Sequence, residues 1–196
     1  MENSKGILKR FLKRKKIGLI ILFFFLVAFL ALIFITKINN KDSINTKGIS
    51  LYYRVYTEDG YSKWYKNGQI AGYNNKKILG FEAKVESDYN GNIYYNTFGI
   101  DNNFDDNDAF NGELSGDKKN NIYAIKIGIT DDLYTNYKLF YRTYNKKDGW
   151  LDWASVNQIS GDNEVNIEKI QIKIVSIDDK EDFNITNSSK GFNEGA

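Results

Sequence analysis

The chain contains no cysteine and no histidine. It can form neither a disulfide framework nor a thiolate metal site, and it lacks the usual general base and the commonest metal ligand. Most catalytic designs are thereby excluded, and no cofactor is implied. Proline is absent too, while Asn, Lys, Ile, Tyr and Phe abound, a coding bias that says little about fold. A glycosidase would need only two carboxylates, yet nothing in the spacing of the acids selects a pair. The 14 tyrosines suit strand faces better than acid catalysis, given an ordinary pKa near about 10. The chain is expected not to be an enzyme, with a hydrolase third among the functions considered.

Charge is missing from one long stretch. Residues 17–36 run for twenty positions without an ionisable side chain, enough helix at about 1.5 Å per residue to cross a hydrocarbon layer of about 30 Å. Seven cations, Lys5 to Lys16, precede it against the single acid Glu2. The positive-inside rule then predicts a cytoplasmic N-terminus (1–16), a single-pass signal anchor in the lipid bilayer (17–36), a stalk (37–48) and an extracellular remainder at the cell membrane. The run exceeds a signal peptide's apolar core of about 7 to 15 residues and offers no small-x-small cleavage site. Taking those seven cations from 27 leaves 20, and taking Glu2 from 25 acids leaves 24. The outer part is mildly acidic, so nucleic acid is not an expected partner.

Internal similarity organises the rest of the chain. With Gly72, Gly116 and Gly161 superposed, at spacings of 44 and 45 residues, three units agree. Asn67-Gly68-Gln69-Ile70-Ala71, Asn111-Gly112-Glu113-Leu114-Ser115 and Val156-Asn157-Gln158-Ile159-Ser160 precede the glycines and read as turn, short strand, turn. Ile78, Ile122 and Ile167 open an alternating strand in each unit, and its three-residue first step suggests a bulge. Upstream stand aromatic strands beginning Tyr52-Tyr53, Tyr94-Tyr95 and Phe140-Tyr141. The outer units share Gly60-Tyr61-Ser62-Lys63-Trp64 and Gly149-Trp150-Leu151-Asp152-Trp153. The middle unit has instead an acidic stretch from Asp101 to Asp108.

This order of aromatic strand, Gly-Trp-x-x-Trp, Asn-Gly turn and Ile-rich strand resembles the clostridial hydrophobic repeat with a conserved Trp. The third unit fits best, the first has Tyr61 in the first aromatic place, and the second lacks the tryptophans. The likeness covers roughly residues 50–175. It implies a secreted or surface protein that binds carbohydrate or other surface partners, and it implies no chemistry.

One such unit cannot bury its own apolar face, so the three are expected to close around a pseudo-threefold axis. The expected architecture is therefore all-β, a β-trefoil or β-prism over residues 49–175, behind a single transmembrane α-helix. The repeats span about 50–86, 92–130 and 138–175. The polar tail, 176–196, is expected to be disordered.

Aromatic side chains fill cores and also stack on sugars. A residue lining the core should stay apolar in every unit, but the position of Trp64 and Trp153 is Asp108 in the middle unit, which moves it outward. The candidate binding residues are therefore Tyr61, Trp64, Trp150 and Trp153, with Asn67, Gln69, Asp152 and Gln158 beside them. The expected partner is a surface glycan or cell-wall polymer, or else another envelope protein. Asp101, Asn103, Asp105 and Asp108 could offer oxygens to calcium, but Asp106 replaces the required Gly and Gly112 the closing Glu, so no metal site is assigned.

Overall fold

A computed structural model describes residues 46, 48–101, 103–104, 107–181 and 183–192, together with Leu26, which is helical. Ser43–Ala196 form one unit of the chain and Met1–Asp42 another. The segments 1–16 and 17–36 and most of the stalk, Leu26 apart, lie outside the described residues.

In each sequence unit the aromatic segment pairs antiparallel with the Ile-rich one. β1 (Ile49–Thr57) pairs with β5 (Gly80–Ser87) in a register from Ile49 opposite Ser87 to Tyr56 opposite Gly80. β6 (Ile93–Phe98) pairs likewise with β8 (Ala124–Ile129), and β9 (Tyr137–Asn145) with β13 (Lys169–Ser176). Period-two alternation sorts the side chains. Tyr53 and Val55 are buried on β1, whereas Tyr52, Arg54 and Tyr56 face outward and are half-buried.

Two-residue strands then fold back on these ladders. β2 (Gly60–Tyr61) and β3 (Tyr65–Lys66) pair with β1, β7 (Ala109–Phe110) with β6, and β10 (Gly149–Trp150) and β11 (Ala154–Ser155) with β9. A short helix, α1 (Asp131–Asn136), joins β8 to β9 and buries Leu133.

The next strand of each unit leaves for a neighbour. β4 (Ile70–Gly72) pairs with β13 of the third unit, and β12 (Ser160–Asp162) with β8 of the second. Ser115, in the corresponding place of the second unit, bridges to Phe81 on β5 of the first. The glycines that define the register follow from this exchange. Gly72, Gly116 and Gly161 have φ of 103°, 88° and 146°, which L side chains rarely adopt. A Cβ at each would also collide with a neighbouring unit's carbonyl, that of Glu168, Leu79 and Tyr123 respectively.

The expectation of a closed trefoil or prism behind a transmembrane helix is corrected. The strands close no barrel and instead form three separate sheets. The exchanged segments are too short, three residues in β4 and β12 and a single bridge at Ser115, to carry a continuous ladder from one sheet to the next. Among the described residues no helix is long and apolar enough to cross a membrane, and residues 17–36 fall outside that description.

The core lies where the sheets' inner faces meet. Tyr53, Tyr95, Tyr141, Phe81, Ile125, Ile170, Ile127 and Ile172 are all fully buried there, each side chain contributing about 1.5–3 kcal/mol through removal of apolar surface from water. At its end three isoleucines join by backbone. Ile78 N–H donates to Ile167 C=O at 3.0 Å, Ile167 to Ile122 at 2.9 Å and Ile122 to Ile78 at 3.0 Å.

The tail differs from the disorder expected of its polar composition. Within residues 183–192, Phe183 packs on Phe140 and Trp153, and β14 (Ser189–Lys190) runs parallel to β12. Ser188 is buried and donates to Ile159 C=O at 2.9 Å.

Candidate functional site

The tryptophans lie outside the core, half-buried on the outer faces of two different sheets. Alternation turns Arg54 outward on β1, and its guanidinium lies over Tyr61 at 4.0 Å and over Trp64 at 4.5 Å. Arg54 also pairs with Glu82, directly opposite on β5, at 2.7 Å. On β9 the arrangement recurs, with Arg142 over Trp150 at 4.6 Å and Trp153 at 4.5 Å. Gln171 replaces the carboxylate there and accepts from Arg142 Nε at 2.9 Å. Burial pulls the Arg142 guanidinium below its ordinary pKa, as desolvation of a cation does. The Gly-aromatic-x-x-Trp signature is thus a clamp that closes on one arginine, a stack worth about 0.5–2 kcal/mol.

The middle unit has exchanged the clamp as a whole. Asn96 stands in the arginine's place and donates to Asp108 at 3.1 Å, the residue aligned with Trp64 and Trp153. Sequence reading found the tryptophans and Asp108 but missed the arginine between them. The signal was available in the Tyr-Arg pair of the first and third aromatic strands.

The polar candidates have local duties. Asn67 is buried and ties its turn to the third unit: its Nδ2 donates to Ile174 C=O, and Ile174 N–H donates to its Oδ1, both at 2.8 Å. Gln69 Oε1 accepts from Lys66 N–H, and Gln158 Oε1 accepts from Ser155 N–H, each at 2.8 Å and each within its own turn. Their carbonyls accept the buried hydroxyls of Tyr53 and Tyr141, as Glu113 accepts Tyr95. Asp152 receives Asn187 N–H at 3.1 Å and Asn184 Nδ2 at 3.2 Å, holding the tail. Tyr61 with Trp64, and Trp150 with Trp153, are brought together as two separate pairs; Asn67 is buried and presented beside neither.

Two clefts border the second unit. One of about 530 Å³ is lined by Asp101, Asn103, Phe104, Asp117 and Asn120 among others. Asp105 of the acidic stretch lies outside the described residues, and among those described no three acidic groups gather as a metal site. The other, a groove of about 600 Å³ between the second and third units, is lined by Tyr94, Tyr134, Phe140, Lys138, Ser155 and Asn157, with apolar residues beneath. Tyr134 on α1 is 59 % exposed. Tyr94 O–H donates to Asn157 Oδ1 at 2.9 Å across the groove. None of the groove's residues belongs to the binding set read from the sequence, because the groove is made by two sheets meeting and by α1, which among the described residues lies at this junction alone.

Compared with known proteins, the chain matches no family model, no curated protein and no solved structure.

Proposed function

We propose that this protein is a binding module, without catalytic activity, that recognises carbohydrate or a cell-envelope polymer at the outer face of the cell membrane. The supporting observation is the pairing of aromatic rings with side-chain amides and hydroxyls on open, concave surface, as in the groove of Tyr94, Tyr134, Phe140, Ser155 and Asn157. Rings stack on the C–H faces of sugars while amides and hydroxyls exchange hydrogen bonds with their hydroxyls. The cation-flanked, uncharged run at 17–36 supports the location, and the resemblance to clostridial hydrophobic repeats supports the ligand class.

A protein partner is the second reading. It is favoured by Ile70 and Tyr73, 43 % and 49 % exposed, on and beside the edge strand β4. Co-sedimentation of the full-length chain in detergent with insoluble cell-wall material separates the two. Glycan recognition predicts pelleting that survives protease treatment of the wall and is lost when its polysaccharide is digested. Pelleting abolished by the protease alone would give the protein reading instead.

A further inference from the structure

The three sheets differ at a further outward position. Lys84 stands opposite Tyr52 in the first unit and Lys173 opposite Phe140 in the third, but Gly128 stands opposite Tyr94 in the second. The lysine ammoniums lie over aromatic rings, Lys84 at 5.4 Å from the Tyr52 centroid and Lys173 at 4.8 Å from Phe183, and Phe183 itself covers Phe140 at 4.3 Å. At 128 the missing side chain leaves a hollow that the Tyr94 ring fills. A Cβ added to Gly128 would fall on that ring's atoms. The phenol is thereby laid flat against β8 and its hydroxyl is fixed to Asn157.

Phe110 lies beside it, with ring centroids 6.0 Å apart and planes tilted by 34°, and is 43 % exposed. The two rings thus make a nearly continuous apolar strip at the groove, which Tyr134 also lines. The groove's one charged side chain is Lys138, whose Nζ points to Asp179 C=O at 3.4 Å. A near-neutral, ring-paved strip bordered by hydroxyl and amide groups matches a neutral glycan.

Resting on the carbohydrate reading, we propose that Tyr94, Phe110 and Tyr134 form a stacking platform for a neutral β-1,4-linked pyranose oligosaccharide. In the gluco configuration this linkage and every ring substituent are equatorial, so the chain extends as a flat ribbon with C–H faces exposed. Successive sugars can then lie on successive rings, with hydroxyls or acetamido groups reaching Ser155 and Asn157. Two of its rings, Tyr94 and Phe110, come from the unit that lacks tryptophan, and none of its residues belongs to the two arginine clamps.

The test is titration of the full-length chain in detergent with cellotetraose and with N-acetylated chitotetraose, followed by calorimetry or saturation-transfer NMR. Binding of at least one tetrasaccharide is expected. Tyr134→Ala, which removes an exposed ring, should weaken it about tenfold, and Tyr94→Ala by at least as much. Gly128→Lys, which installs the residue of the other sheets, should abolish it by displacing the ring. Tyr94→Phe keeps the stacking surface and should stay within about threefold. Each variant is also melted, and Tyr134→Ala, being on the surface, keeps the test valid if Gly128→Lys fails to fold. Absence of binding to both tetrasaccharides overturns the proposal, as does binding that is unchanged in Tyr134→Ala and Tyr94→Ala. If the wall co-sedimentation persists while both tetrasaccharides fail, this platform falls and the broader glycan reading stands.

Discussion

The amide of Ile122 donates to the carbonyl of Ile78 at 3.0 Å, linking two units at positions 44 residues apart in sequence. Ile167 completes the ring with both, so no unit keeps its backbone hydrogen bonds here without the other two. The exchanged strand β4, Ser115 and β12 impose the same dependence on the sheets. Deleting the middle unit, residues 92–130, should therefore leave the remainder without a cooperative thermal transition, since buried donors and acceptors would lose their partners. A two-unit chain that melts cooperatively near the parent midpoint would show that the units are separable, as in an open solenoid.

Trp153 and Ile170 should separate the outer clamp from the core. Ile170 is fully buried, and Ile170→Ala should cost about 2–5 kcal/mol through lost transfer energy and a cavity. Trp153 is half-buried against Arg142 and Phe183, so Trp153→Ala should cost less, about 1–2 kcal/mol from the stack and partial burial. Denaturant melts of the two variants give the comparison. Equal losses would make the tryptophan a core residue.

What the sequence could show was periodic. Alternation after Ile78, Ile122 and Ile167 marked one strand of each unit, and Gly72, Gly116 and Gly161 marked the turns, because each signal depends on residues near in sequence. The exchange of β4 and β12 between units was hidden, since three isolated residues carry no sign of which ladder they join. Asn67 looked available beside a turn, yet it is consumed by Ile174, 107 residues away. Similarly, the polar tail gave no apolar period, and its order comes from single contacts such as Phe183 on Trp153 and Ser188 on Ile159.

The repeated glycines divide into two kinds with different expected costs. Gly149 has φ of 79° with nothing near a would-be Cβ, so Gly149→Ala meets only backbone strain of about 1–2 kcal/mol. Gly161 has φ of 146° and a neighbouring unit's backbone against it, so Gly161→Ala must also push β12 from β8. Its melting temperature should fall well below that of Gly149→Ala. Similar midpoints would mean that the sheets yield at this seam.

Removing residues 183–196 should expose Trp153 without unfolding the domain. The cut takes away Phe183, β14 and both tail donors to Asp152, none of which belongs to the central core. Tryptophan emission should shift to the red while the melt stays cooperative, with a midpoint lower by several degrees for a loss of about 1–2 kcal/mol. Unchanged emission would place the tail away from the indole in solution.

The buried tyrosines make stability depend on alkaline pH. Burial is the first cause raising Tyr53, Tyr95 and Tyr141 above their ordinary 10.0, and Tyr95 is pushed up to about 12. Each hydroxyl donates to a turn carbonyl, Gln69, Glu113 or Gln158, so ionisation would remove the donor and set an anion against an acceptor. An unfolded chain releases these protons near pH 10 whereas the folded chain still holds them, so folding stability falls as pH rises in that interval. The contribution is intact below about pH 10 and should decline by about 1.4 kcal/mol per pH unit for each tyrosine up to its folded pKa. Denaturant unfolding at pH 8, 9, 10 and 11 should thus be flat at first and then fall. Lysines titrate in the same range, so the decisive comparison is Tyr95→Phe, which should flatten the decline above pH 10 by one tyrosine's share. An alkaline slope identical to the parent's would show that Tyr95 ionises as easily folded as unfolded.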